Sequence, residues 1–460
     1  MNSRVEILQQ TQIEDETGMY RATVALCSTC GERIDARLVQ KVGKVLLSKT
    51  CPNHGIHEEL FEDDVAFFEK QSEYDKPSTP TPKETQTTRG CPYDCGLCPE
   101  HNQHTCIALL EITERCDYGC PICYANAGNG EDLDLETATQ MLDHVIEAEG
   151  GQLDILQISG GEPTQHPDIL KFIELADSKS IRYIMLNTNG ARVATDPEFV
   201  KQLARYRGKF ELYLQFDGVN PEASKRLRGK DTTETTYRAL DRIAAHGLPA
   251  TLVVTVAKGI NEKDLGKIVD FATNHPAVRG INFQPLTFFG RASRDDSTQR
   301  ITRTGVIQEL EKQSQGMLLT TDFIALPCDV HNVAITMLLK QKGKWQPITR
   351  KVDAREHLPV IDNTLCFYAQ DVIKEAVTTP CCCFKLFKDG LPFLGTALKG
   401  FTAKDRTQFA NENTLRITVT QFRDRFNFEQ QAIQKECVHV LTPDMQRVPF
   451  SVYNLLRRNS

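Results

Sequence analysis

Between residues 106 and 300, short apolar runs alternate with amphipathic stretches. The runs are IALLEIT (107–113), LDILQIS (153–159), RYIMLNT (182–188), FELYLQF (210–216), ATLVVTV (250–256) and GINFQPL (280–286). Each is short and rich in aliphatic or β-branched residues, which predicts strands buried on both faces. Between them, LETATQMLDHVIEAEG, HPDILKFIELADSK, DPEFVKQLARYR, TTYRALDRIAAHG and EKDLGKIVDFATN carry apolar residues at helical spacing. Strand followed by helix, repeated, builds a parallel sheet with helices outside it. The expected fold class is α/β, a partial (βα)6 barrel over residues 107–300 whose chemistry lies at the C-terminal ends of its strands.

The flanks follow other patterns. Residues 1–75 predict a small metal-binding module of β character, from ATVALC and KVGKVLLSKTC. Residues 76–106 combine a Pro- and Thr-rich stretch, which predicts a linker, with a cysteine-rich segment. Residues 301–460 are less regular and predict a smaller appended domain. A formal charge of −7 without a long basic block argues against a nucleic-acid partner. No apolar run approaches the ~18–20 residues that cross a bilayer, and the first residues lack an apolar signal core. The expected location is cytoplasmic. Arg457 and Arg458 beside Leu455 and Leu456 leave a peripheral contact with the membrane's inner face open, although a solvated tail is the simpler reading.

Sixteen cysteines change this picture. In a reducing compartment they are not disulfides, and metal or cluster ligation is the natural use of so many thiolates. Three lie at 27–51, seven at 91–123, none from 124 to 327 and six at 328–437. Cys116, Cys120 and Cys123 form CxxxCxxC directly after the first predicted barrel strand. Three thiolates on a four-iron cluster leave one iron open to an outside ligand. Cys27, Cys30, Cys51 and His54 form CxxC and CxxH pairs that suit one tetrahedral ion, zinc or iron. Cys91, Cys95, Cys98 and Cys106 supply four thiolates for an auxiliary [4Fe–4S] cluster or a second zinc; His101 and His104 are alternative ligands, although solvent-facing loop histidines are the commoner reading. Among Cys328, Cys366, Cys381, Cys382, Cys383 and Cys437, neighbouring side chains diverge, so Cys328, Cys381, Cys383 and Cys437 are favoured for a further cluster.

The CxxxCxxC motif after the first strand, the repeated βα units and SGGEP (159–163) resemble the radical S-adenosylmethionine (SAM) superfamily. That resemblance implies that SAM chelates the open iron and is cleaved reductively, with an electron donor such as flavodoxin or ferredoxin. It also implies that Gly160, Gly161 and Glu162 meet the methionine amino group, that Asn187 and Asn189 meet ribose or substrate, and that Gln215, Asp217, Gln284 and Pro285 lie nearby. The CxxC…CPxHG module, GCPxDCGLCPEHxxHTC and CxxxCPxCYA together resemble the tetraether lipid synthase group and its bacterial relatives. For that group the likeness implies auxiliary clusters, a mononuclear metal and carbon–carbon bond formation or alkylation on a lipid chain. Modification of a small molecule such as a pterin, or of a peptide, are the alternatives. A lipid channel would draw its walls from Leu286, Phe288, Phe289, Phe393, Leu394, Val448, Pro449 and Phe450.

Overall fold

A computed structural model describes residues 18–125, 127–294, 300–358, 363 and 413–458. The predicted barrel strands are present: β5 (Ile107–Glu111), β6 (Leu153–Ser159), β7 (Ile181–Thr188), β8 (Phe210–Gln215), β9 (Ala250–Val256) and β10 (Val278–Pro285). They pair in sequence order and in parallel, and the helices between them pack outside. The helix Leu135–Ala148 shows why. Asp134 caps it by accepting from Thr137 N, and Ala138, Met141, Leu142 and Val145 recur at three- and four-residue spacing on the face that is buried.

Ahead of the barrel, β1 (Met19–Leu26), β2 (Arg33–Lys41), β3 (Lys44–Cys51) and β4 (Gly55–Glu62) form an antiparallel sheet of consecutive neighbours. Alternation along β2 and β3 puts Ile34, Ala36, Leu38, Val45 and Leu47 inside.

The C-terminal region is not the separate unit that its composition suggests. Its strands are β11 (Ile324–Ala325), β12 (Val333–Gln341), β13 (Lys344–Pro347), β14 (Thr414–Thr420), β15 (Val438–Leu441) and β16 (Arg447–Pro449), and all join the barrel sheet. β14 pairs in parallel with β10 at one edge, and β15 pairs in parallel with β5 at the other. Residues 421–437 therefore run between the two edges that an open barrel leaves free, and both edges are paired rather than exposed.

Nor does the Pro-rich stretch hang free. Glu84 accepts from the Arg447 Nε and backbone N, each at 2.6 Å, and from His144 at 2.9 Å. Arg447 is fully buried and also bonds Glu149 at 2.5 Å, so one guanidinium joins the linker, a barrel helix end and β16. Among the described residues no helix is long and apolar enough to cross a membrane.

Removing one partner of a buried ion pair strands the other charge. Arg447→Ala should therefore destabilise the fold by about 3–5 kcal/mol, read as a fall in the urea midpoint. An unchanged midpoint would show that Glu84 and Glu149 find other partners.

Candidate active site

The C-terminal ends of β5 to β10 surround one cavity lined by Cys116, Cys120 and Cys123. The cysteine loop is fixed by its neighbour. Gly161 N donates to Thr113 O at 2.7 Å and Glu162 N to Arg115 O at 2.8 Å. A Cβ on Gly160 would lie 2.3 Å from Thr113 O, and one on Gly161 would lie 2.4 Å from Arg115 O. The close approach expected of these glycines is thus made to the cysteine loop's own backbone.

Glu162 is also bonded by the protein itself. One carboxylate oxygen accepts from Thr164 N (3.1 Å), Thr164 Oγ1 (2.6 Å) and Thr188 Oγ1 (2.8 Å), and the other from Asn189 N (2.7 Å). Four protein donors fill most of its lone-pair sites. The side chain is buried and ties the β6 end to the β7 end; burial pushes its pKa up against these hydrogen bonds. Asn189 Nδ2 in turn reaches Asp117 Oδ1 at 2.8 Å, which fastens β7 to the cysteine loop.

The remaining strand-end residues point inward. Asn187 lines the cavity and donates to Ser159 Oγ at 3.1 Å, while its buried Oδ1 has no hydrogen-bond partner, so an acceptor is left for a ligand. Gln215 donates to Asp217 at 3.0 Å, and Gln284 Nε2 lies 3.5 Å from Tyr213 Oη, which Asn282 also contacts. Leu286, Phe289, Phe422 and Phe450 line the same cavity. Of the other residues named for a channel, Phe288 packs edge-on against Phe426, Val448 packs in a cluster with Cys91 and Cys95, Pro449 ends β16, and Phe393 and Leu394 lie outside the described residues.

The thiols fall into sets of different geometry. Cys27, Cys30, Cys51 and His54 converge, with ligand atoms all within 4.8 Å of one another. Cys51 Sγ to His54 Nδ1 is 3.4 Å, Cys27 Sγ to the same nitrogen 3.7 Å, and Cys30 Sγ to Cys51 Sγ 4.0 Å. A tetrahedron with metal–sulfur bonds of ~2.3 Å has edges of about 3.8 Å, so the set fits one ion. Cys116, Cys120 and Cys123 share a cavity without converging in this way, as ligands of a larger cluster would. Burial holds the Cys116 thiol up at about 12, and a bound metal would have to deprotonate it.

Cys106 departs from its expected partners. It converges with Cys328 and Cys437 rather than with Cys91, Cys95 and Cys98. Register explains this: Ile107 pairs with Val438, so the residues just before them, Cys106 and Cys437, stand side by side at the start of two parallel strands. Cys328 Sγ is 4.0 Å from Cys437 Sγ, and His104 Nε2 is 3.7 Å from Cys106 Sγ. Cys91, Cys95 and Cys98 are buried together on the preceding loop. Cys366, Cys381, Cys382 and Cys383 lie outside the described residues. His101 and His104 are buried rather than solvent-facing, and His101 Nε2 meets His439 Nε2 at 3.1 Å.

The radical SAM superfamily profile matches residues 110–272, and the profile of the HMPTM N-terminal zinc ribbon domain matches residues 19–63. The 7,8-dihydro-6-hydroxymethylpterin dimethyltransferase of Methanocaldococcus jannaschii is 29% identical over 486 aligned residues, which span 96% of this chain and 94% of its own. The mycofactocin maturase MftC of Mycobacterium tuberculosis is 28% identical over 193 residues, 42% of this chain and 43% of its own. The crystal structure of Streptococcus suis SuiB aligns with a TM-score of 0.38 at 15% identity, over 45% of this chain and 46% of that one.

Replacing Cys116, Cys120 and Cys123 together by Ala should abolish SAM cleavage, measured as 5′-deoxyadenosine. Undiminished cleavage would remove the loop from the chemistry. Glu162→Ala should lower the urea midpoint as well as weaken SAM binding, because the Asn189 amide and the Thr164 and Thr188 hydroxyls lose their acceptor, at about 1–3 kcal/mol for each group left unsatisfied. Weakened SAM binding at a wild-type midpoint would instead give the carboxylate a direct ligand role.

Proposed function

Residues 110–272 are a radical SAM domain, and from that premise we propose that this radical SAM enzyme alkylates a small polar heteroaromatic molecule of the pterin class, most simply by methyl transfer. The observation that carries the proposal is the extent of the likeness to the pterin dimethyltransferase. It runs through the N-terminal ribbon, the cysteine-rich segment and the C-terminal strands, whereas the likeness to the maturase stops within less than half of either chain.

The cavity supports the same substrate class. A pterin is flat, with faces that need apolar walls and an edge crowded with hydrogen-bonding groups. Gln157, Asn187, Tyr213, Gln215, Asn282 and Gln284 offer amides and a phenol, while Leu286, Phe289, Phe422 and Phe450 offer the walls. A long alkyl chain would leave the buried Asn187 Oδ1, which has no protein partner, unsatisfied. The lipid substrate implied by the tetraether synthase resemblance is therefore displaced by the pterin alternative.

Cys116, Cys120 and Cys123 would hold the initiating [4Fe–4S] cluster, which together with SAM supplies one-electron chemistry and hydrogen-atom abstraction when bound. The protein's part is positional. Asn187 Oδ1 presents a free acceptor, Gln284 and Gln215 orient polar edges, and the phenylalanines exclude water. The ribbon set holds a mononuclear ion, and the buried Cys106, Cys328 and Cys437, with Cys91, Cys95 and Cys98, supply ligands to auxiliary iron–sulfur centres. A flavodoxin or ferredoxin delivers the electrons.

The test is anaerobic reconstitution with SAM, a reductant and 7,8-dihydro-6-hydroxymethylpterin, followed by mass spectrometry. The expected product carries one or two added methyl groups, each taken from a second SAM that leaves as S-adenosylhomocysteine with electrons from the reductant, and forms alongside 5′-deoxyadenosine and methionine from the SAM that is cleaved. Turnover of SAM with an unmodified pterin, but with an altered lipid from a cell extract, would reverse the assignment. Iron analysis should exceed the four atoms of one cluster; about four per chain would leave the other thiols without clusters.

A further inference from the structure

The helix Pro221–Arg228 that follows β8 ends against the cysteine loop. Gly229 caps it in the left-handed region at φ 76°, donating to Lys225 O at 3.0 Å. A Cβ on Gly229 would touch Pro121 Cδ at 3.6 Å and lie 3.8 Å from Gly119 O, so the cap rests on the turn between Cys116 and Cys123. Beyond the cap, the Lys230 ammonium sits 3.4 Å from the centre of the Tyr118 ring.

Arg228 is the last residue of that helix and lines the cavity. Its Nε and Nη2 meet the two carboxylate oxygens of Asp217, each at 2.7 Å, and Nη2 also reaches Thr255 Oγ1 at 2.9 Å. Arg228 and Cys120 line the same cavity, and Arg228 adjoins Gly229, which lies against Gly119 and Pro121 on either side of Cys120. Asp217 is buried and takes a further bond from Gln215, so the fork is held from several sides. A buried ion pair is weak evidence for stability, because desolvation offsets its attraction. Here the positive end lines the cavity that the cysteine loop also lines.

We propose that the Asp217–Arg228 pair is a redox-positioning device, in which the Arg228 guanidinium, held by Asp217 in the cavity that Cys120 lines, stabilises the negative charge that the cluster gains on reduction. Hydrogen bonds to cluster sulfurs and local net charge are among the determinants of cluster potential. One electron arrives from a donor of the ferredoxin or flavodoxin class. No bond is made or broken at Arg228, and no proton moves to or from it, since guanidinium stays protonated. The proposal rests on Cys116, Cys120 and Cys123 holding the cluster.

The test is a potentiometric titration of the reconstituted enzyme, following by electron paramagnetic resonance the reduced-cluster signal that SAM perturbs. Arg228→Gln should lower the midpoint by about 59 mV or more, a tenfold loss in the one-electron equilibrium. Asp217→Asn, which keeps the cation and removes its counter-charge, should raise it. A merely structural pair would move both variants the same way. Shifts in one direction, or a wild-type midpoint in Arg228→Gln accompanied by weaker SAM binding, would overturn the proposal. If one variant fails to load a cluster, the sign of the other still decides. A wild-type enzyme with no SAM-perturbed signal would overturn the cluster assignment itself, and this inference with it.

Discussion

Two strand ends meet where Thr113–Arg115 runs beside Gly160–Glu162, backbone against backbone. The hydrogen bonds from Gly161 N to Thr113 O and from Glu162 N to Arg115 O extend the pairing of β5 and β6 past their last regular residues. Neither glycine leaves space for a Cβ, and Gly160 has φ 138°, where side-chain-bearing residues are strained. This contact fixes where the cysteine loop leaves the sheet. Everything further along inherits that origin. Asp117 is held by Asn189, Cys123 O accepts from Arg291 N, and Gly290 packs against Cys123 and Tyr124 too closely for a side chain. The loops after β6 and β10 thus shape the cysteine loop through backbone contacts, and the loop after β7 through a side-chain bond.

Buried ion pairs join the segments that the barrel cannot reach by strand pairing. Arg303 and Glu62 join the helix Arg303–Gln313 to the ribbon's last strand at 2.9 Å. Arg300 and Asp424 join the chain after β10 to the segment between the sheet edges at 2.8 Å, and Asp424 also accepts from Phe288 N. Lys49 reaches across with three carbonyl acceptors, on Leu26, Arg425 and Phe426, and burial lowers its pKa to about 8. Apolar contacts would hold such junctions as firmly, but they fix orientation less, because they are non-directional. Bidentate and multiply bonded charges set an angle as well as a contact.

What the sequence made legible was local, and what it hid was long-range. Period and composition located six strands to within two residues, because buried parallel strands and amphipathic helices each leave a pattern inside one short window. CxxC and CxxH pairs displayed their site because both halves sit on adjacent hairpins. β14 and β15 left no comparable signal, since each gains its place by pairing with a strand far away in sequence. The same reason misdirected Cys106, whose neighbours in sequence are Cys98 and Cys95, while its neighbours in space come from Cys328 and Cys437. Glu162 sits in a recognisable motif, yet its side-chain partners at Thr188 and Asn189 depend on the β6–β7 register. Arg228 reads as one more charge on a polar helix until Gly229 turns that helix end onto the cysteine loop.

β5 carries a thiol site at each end. Cys106 precedes its first residue and Cys116 follows soon after its last, so the two sites are separated by little more than the strand, roughly 20 Å at the usual rise per residue. The strand is paired on both sides, by β6 and β15, and its central residues are buried. A strand so enclosed cannot shift one end without the other, and the spacing between the two thiol sites is therefore set by the barrel rather than by flexible connectors. The C-terminal strands explain the rest of the arrangement. β15 brings Cys437 to the start of β5 by register, and Cys328 arrives on the turn before β12. The added strands thus do two things with one set of hydrogen bonds: they cover the open edges of the sheet, and they complete a buried group of thiols at the start of β5, directly before the cavity-lining Ile107 and Val438.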